Sequence, residues 1–325
     1  MVNLLFTLGV ITAGLGFGYG LQRLAASGRI RLPLPLAELR RLLQKIGLLF
    51  FMTISFMGAV WIIRVDSLRI AALPALGVFI LLLGGFLAIA AARFLGLDRK
   101  QTGSLFACGS FSNIGSIGAL VVFVFLGEKG FALVALYKLF EEVVYFTIGF
   151  PIAKYYGTAA GEGREAGFSG RLRSVLRDPF VLAALAAIAV GGTLNAAGVA
   201  RPEIYKTVNS FFVPAGTFVL LTSIGLAMRF SSAGNYARQC LAICAIKFLA
   251  LPAVACLIGT LLGFGEMDAG LPLKVVLVVS AMPVAFTALI PPSIYDLDLE
   301  LSNACWLTST LALAGVLPII YLLIR

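Results

Sequence analysis

Residues 109–118 read Gly109-Ser110-Phe111-Ser112-Asn113-Ile114-Gly115-Ser116-Ile117-Gly118. Three glycines and four small polar residues stand here in the middle of an apolar run. Glycine adds backbone freedom, and serine and asparagine compete for backbone hydrogen bonds, so a helix passing through is weakened. A second apolar run carries Ser280-Ala281-Met282-Pro283, followed by Pro291-Pro292. Proline lacks a backbone donor and clashes one turn back, so this helix is expected to open near 279–283. At an offset of 167 residues Ser280 falls opposite Asn113, and Pro283 opposite Ser116.

The surroundings put both weak points in a membrane. Of 325 residues, 60% are hydrophobic and 12% charged, with a mean hydropathy of +1.02. Soluble domains carry about a quarter charged residues. Ten apolar segments are expected to span, at 3–22, 46–63, 71–92, 103–126, 131–153, 179–199, 207–228, 239–262, 272–294 and 301–324. Each is apolar all round, as burial in lipid or protein requires. The first lacks a basic leader and a small-residue cleavage site, so it reads as a permanent span rather than a signal peptide. Residues 32–43 fit a short interfacial helix or a plain loop equally well.

Several chemistries are excluded. There is no histidine, which removes imidazole catalysis and histidine-ligated metals. Cys108, Cys240, Cys244, Cys256 and Cys305 all lie in apolar stretches with no CxxC pair, so neither a disulfide framework nor a zinc site is indicated. No Walker loop or cofactor motif is present, which leaves no sign of ATP or a bound cofactor. With no nucleophile–base pair either, an enzyme is not expected.

Lys and Arg set the orientation. The loops 23–45, 93–100, 154–177, 229–238 and 295–300 hold sixteen of them, against seven on the other side; the acidic Asp296, Asp298 and Glu300 in the last of these barely count in this rule. The richer side is expected to be cytoplasmic, with both termini outside and the chain in the cell inner (plasma) membrane. The net charge of +10 follows from this bias and from anionic lipid heads, without a nucleic-acid partner. The glycine-rich stretch 157–178 is the expected cytoplasmic linker between a first repeat, 1–156, and a second, 179–325.

Further landmarks share the 167-residue offset: Phe51 with Phe218, Gly58 with Gly225, Ala88 with Ala255, Leu95-Gly96 with Leu262-Gly263, Gly103 with Gly270 and Pro151 with Pro318. Five spans per half is an odd number, so the second copy would enter the membrane upside down. Such inverted repeats build secondary transporters, with the binding site where interrupted helices meet near the midplane. An opened helix also exposes N–H groups with partial positive charge, which favours an anion such as a carboxylate. Asn113 and Ser280 offer side-chain hydrogen bonds, and Gly115 and Gly118 let a ligand approach the backbone. The same glycines also fit plain tight helix packing.

Four ionisable side chains lie well inside predicted spans: Lys138, Glu141, Glu142 and Lys247. Intramembrane charges are costly and usually face a cavity or a partner. Lys138 lies one helical turn before the two glutamates and can pair with either. Lys247 has no acid nearby on its own helix. It can neutralise a substrate, meet a carbonyl at the break, or pair with Glu141 or Glu142. The acidic pair suggests a site for H+ or Na+.

Together these residues resemble the auxin efflux carrier family in its short-loop bacterial form. The resemblance covers nearly the whole chain. Lys247-Phe248-Leu249-Ala250-Leu251-Pro252 is similar to the family's Lys-to-Pro stretch in the eighth helix. Ser280 to Pro283, with Tyr295-Asp296-Leu297-Asp298-Leu299-Glu300-Leu301, resembles its ninth helix and following acidic turn. Asn113-Ile114-Gly115-Ser116-Ile117-Gly118 resembles its Asn-x-Gly-x-x-Gly, and Gly127 to Gly130 the next turn. Ala119 stands where proline often follows, and Glu141-Glu142 departs from the pattern. The resemblance, shared more distantly with bile-acid–sodium symporters, implies an all-α membrane fold. It implies ten transmembrane helices in a five-plus-five inverted repeat, with helices 4 and 9 broken and crossing. It also implies an elevator-like carrier of small organic anions, contacted by Asn113, Gly115, Ser116, Gly118, Ser280, Met282 and Pro283. The rival is a sodium- or proton-coupled symporter, or a cation–proton exchanger on the same fold, using Glu141 and Glu142. A homodimer is compatible with such folds, although no interface motif is legible.

Overall fold

The computed structural model describes residues 2–62, 68–157, 177, 179–228 and 233–324. Apart from Gly157 and Arg177, the expected linker 157–178 lies outside the described residues. The described chain is helical, with one isolated antiparallel bridge, Ser112 with Val284, and no strand among those residues.

The helices are α1 (Val2–Ala26), α2 (Leu36–Val60), α3 (Leu73–Phe94), α4 (Arg99–Ser110), α5 (Ala119–Tyr137), α6 (Glu141–Val144) and α7 (Phe150–Tyr156). They continue as α8 (Pro179–Ala196), α9 (Ile204–Gly225), α10 (Ala237–Leu261), α11 (Leu271–Ser280), α12 (Ile290–Ile294) and α13 (Leu299–Leu323). Seven stretches among the described residues are long and apolar enough to cross a membrane. One of them, Ile114–Tyr156, is 43 residues long and bends at Gly127, where φ is 72°. The chain is therefore an all-α, multi-pass membrane protein.

Local chemistry moves two boundaries. Residues 36–45 neither loop out nor form a separate helix; they are the first turns of α2, after Pro35 at its N-cap. Helix α4 begins at Arg99, in polar sequence, because the Asp98 side chain accepts the Gln101 amide hydrogen at 2.8 Å. A carboxylate N-cap satisfies a donor that the helix cannot, so polar residues can open it.

The described chain forms two compact units. Unit 1 comprises Met1–Asp66, Gly115–Ala135 and Pro179–Arg229; unit 2 comprises Ser67–Ile114, Leu136–Asp178 and Phe230–Arg325. Each unit takes segments from both sides of residues 157–178.

In unit 1, α1 lies directly on α9. A Cβ on Gly14 would meet Leu221, and one on Gly18 would meet the Thr222 carbonyl, whereas Gly9, Gly16 and Gly20 face open space. Only two of the α1 glycines therefore serve this packing. The far end of α2 is tied down by polar groups: Trp61 Nε1 donates to Val199 O at 2.8 Å, Asn195 Nδ2 to Trp61 O at 2.8 Å, and Arg201 Nη1 to Gly58 O at 2.8 Å. Arg201 also pairs with Glu128 at 2.6 Å. Phe56 stacks on Phe131 with centroids 4.5 Å apart.

In unit 2, α3 and α4 touch backbone to backbone at Gly84 and Gly109, where a Cβ on either would strike the other's carbonyl. Asp298 gathers one end of this unit. It caps α13 by accepting the Leu301 amide hydrogen at 2.9 Å, and takes the Tyr236 hydroxyl hydrogen at 3.1 Å. Its own carbonyl accepts from Ser104 Oγ at 2.8 Å. Burial, and then the hydrogen bond to Asp298, push the Tyr236 phenol up to about 12. Asp298→Ala is expected to lower the melting temperature of the detergent-solubilised protein, at a cost of about 1–2 kcal/mol from the lost cap. Asp298→Asn, which still caps, should lose less.

The ends of α3 and α10 carry the same hydrogen bonds. Leu95, Gly96 and Leu97 donate to Ala91, Arg93 and Ala92 at 2.9, 3.2 and 3.0 Å. Leu262, Gly263 and Phe264 donate to Ile258, Thr260 and Gly259, each at 2.9 Å. Gly96 and Gly263 sit at φ 64° and 76°, the left-handed cap that glycine adopts without strain. Every pair is 167 residues apart. The next helices start at N-caps Asp98 and Gly270, which are 172 apart. The second link is five residues longer and contains Glu266, which pairs with Arg69 at 3.7 Å.

Candidate functional site

Unit 2 holds two helices that stop inside apolar sequence and are joined where they stop. Helix α4 stops at Ser110 and Phe111 is extended; α11 stops at Ser280 and the chain is extended again at Ala285. Asn113 N–H donates to Pro283 O at 2.9 Å, and Ala285 N–H donates to Phe111 O at 3.0 Å. The two bonds flank the Ser112–Val284 bridge as one antiparallel step. Ser112 therefore answers Val284 at the offset of 172 that the longer link sets, not at 167.

The remaining amides of the bridge point outward, and each finds a hydroxyl. Ser112 N–H donates to the Tyr145 hydroxyl at 3.1 Å, and Val284 N–H donates to Ser309 Oγ at 3.2 Å. Buried amides need such partners.

Lys247 closes the arrangement. Its side chain is fully buried, and its Nζ donates to Gly109 O at 2.7 Å, Ser112 Oγ at 2.8 Å and Phe111 O at 3.2 Å. A cation at the C-terminal end of a helix meets carbonyls with partial negative charge, so the ammonium caps α4 where it breaks. Of the roles open to Lys247, the structure shows contact with the carbonyls at the break.

Glu141 is buried and Glu142 half-buried. Lys138 pairs with Glu141 Oε2 at 3.1 Å, and the Tyr145 hydroxyl donates to Glu141 Oε1 at 2.7 Å. A string of polar contacts thus runs from Lys138 through Glu141, Tyr145 and Ser112 to Lys247. Tyr145, Ser309 and the Gly109 carbonyl escape sequence reasoning. Tyr145, one turn after Glu141, is the single one with a legible signal.

The other expected residues are distributed as follows. Asn113, Met282 and Pro283 lie buried at the joined gaps. Ser280 is buried too, but its hydroxyl donates back to Val276 O at 2.6 Å in its own helix. Gly115, Ser116 and Gly118 belong to unit 1, where Thr217 Oγ1 donates to Ser116 O at 3.4 Å. Among the described residues no group of three or more Cys, Asp or Glu is placed to hold a metal ion.

No protein-family model matches the chain. A protein from Methanothermobacter thermautotrophicus described as an "Uncharacterized transporter" is 25% identical over 237 residues, which cover 73% of each chain. The all-helical, multi-span architecture and this similarity together support a membrane transporter.

Proposed function

We propose that the chain is a secondary carrier of small organic anions such as mono- and dicarboxylates, bound where the interrupted helices meet. The observation that carries this reading is the buried Lys247 ammonium held at the break. A positive charge there favours a carboxylate and opposes a cation. The carbonyl and hydroxyl oxygens around Lys247 are also the ligand type that sodium prefers, and the ammonium fills them. That favours a proton over sodium as the coupling ion, with Glu141 as its carrier. Asn113 supplies side-chain hydrogen bonds to the anion beside Met282 and Pro283, and Gly115, Ser116 and Gly118 complete the family-like motif. Ten helices in a five-plus-five inverted repeat fit the identical caps of α3 and α10. We assign an elevator-like step to the unit that carries the joined gaps. The basic loops then face the cytoplasm, and both termini face outward from the plasma membrane.

The test is charge movement in proteoliposomes on adding a panel of mono- and dicarboxylates, with and without sodium. The expected result is an anion-dependent current indifferent to sodium. Asn113→Leu is expected to reduce it to background while the protein still inserts and melts cooperatively; normal current in that variant refutes the site. A signal on a sodium or pH jump alone, with none from any anion, establishes the cation–proton exchanger instead, with Glu141 and Glu142 as its ion site.

A further inference from the structure

We propose that Tyr145 is a proton-reading switch, transmitting the charge state of Glu141 to the backbone of the broken helix at Ser112. This rests on the proton-coupled reading of Glu141 and adds the residue through which the coupling reaches the break.

The geometry permits two arrangements of one hydroxyl. The Tyr145 oxygen lies 2.7 Å from Glu141 Oε1, 3.1 Å from Ser112 N and 3.4 Å from Ser112 O. When Glu141 is ionised, the phenol hydrogen must go to the carboxylate, which can only accept. When Glu141 takes up a proton from the aqueous phase, that proton belongs on Oε1, because Oε2 faces the Lys138 ammonium at 3.1 Å. The acid then donates to the phenol oxygen. The phenol hydrogen is released and turns to the Ser112 carbonyl. Ser112 N–H keeps its acceptor in both arrangements, so the change is one rotated O–H bond, with no buried donor stranded.

The second half of the bridge provides the internal contrast. There Val284 N–H also meets a hydroxyl, but Ser309 Oγ sends its hydrogen to the Trp306 carbonyl at 3.1 Å. A carbonyl cannot titrate and a carboxylate can. Of the two hydroxyls, only Tyr145 is wired to a group whose charge can change.

The titratable groups that face Glu141 among the described residues are Tyr137, Lys138, Glu142 and Tyr145 on its own stretch of chain, and Lys247 on α10. The packed helix α3 presents Gly77 to the Tyr137 backbone.

Infrared difference spectra of the full-length protein in liposomes, between mildly acidic and mildly alkaline buffer, read the switch without any substrate. Acidification is expected to give a protonated-carboxyl band together with a shift of a tyrosine ring mode. Glu141→Gln should remove both. Tyr145→Phe should remove the ring-mode shift and move the carboxyl band to higher frequency, because the acid has lost its acceptor. Ser309→Ala should leave both signals in place. A ring-mode shift that survives Tyr145→Phe or Glu141→Gln overturns the proposal, as does a carboxyl band unmoved by Tyr145→Phe or absent from the wild type. Uptake of labelled malonate driven by a proton gradient separates the two readings. If the spectra show the switch but uptake ignores the gradient, the coupling reading fails and the switch stands. If the spectra lack it, the switch fails whatever malonate does.

Discussion

Lys247→Met is expected to abolish transport while leaving most of the fold stable. The two effects have different sizes for a physical reason. The ammonium makes three hydrogen bonds, each worth roughly 1.5–3 kcal/mol for a charged donor. Against these stands the cost of keeping a charge fully buried, several kcal/mol in protein interiors. Methionine fills the space of the stem and removes the buried charge, but it leaves the Gly109 carbonyl and the Ser112 hydroxyl without this donor, so a moderate fall in melting temperature is expected rather than loss of the fold. Nothing cancels the loss of positive charge at the anion site, so anion-dependent current should fall by about two orders of magnitude or more, equivalent to roughly 2.7 kcal/mol. A variant that carries anions normally would show that the lysine charge is not needed for transport. Lys247→Arg is expected to fail as well, because a planar guanidinium cannot direct three donors into this compact set of acceptors.

Gly109→Val should be the most damaging single change to the structure. At this position α4 meets α3 with no side chain between, and the Gly84 carbonyl and the Ala88 Cβ occupy the place a side chain would take. Because these obstacles belong to a helix backbone, they cannot swing aside, and overpacking typically costs about 1–3 kcal/mol even where side chains do give way. The displaced Gly109 carbonyl is also an acceptor of Lys247, so the cap on the broken helix is lost in the same stroke. The expected outcome is loss of the monodisperse, cooperatively melting species in detergent. Gly16→Val on α1, where nothing lies within 4 Å, should express and melt like the wild type. Similar behaviour of the two variants would contradict the close approach.

Much of this architecture is legible in the sequence, because its causes are local. Small polar residues and proline mark the interruptions near 109–118 and 280–283, and both helices stop there. Hydropathy finds the multi-span character, and seven stretches among the described residues are long and apolar enough to cross, since lipid leaves the backbone no partner but itself. What stays hidden depends on distant or backbone groups. A carbonyl carries no side-chain signature, so the partners of Lys247 are invisible in one dimension. The pairing of Ser112 with Val284 is obscured because a fixed-offset comparison cannot see five extra residues between Gly263 and Gly270. The Ser280 hydroxyl is absorbed by its own helix, as serine inside helices often is. Asp98 extends α4 into sequence too polar for a hydropathy reading.

The lysine cap has a mechanical consequence. Three charge-assisted bonds join α10 to the broken end of α4, and sliding one past the other requires their simultaneous rupture. The ammonium therefore acts as a rivet. Any displacement of the break drags α10 with it, and the compliance that transport demands has to reside elsewhere than in this joint.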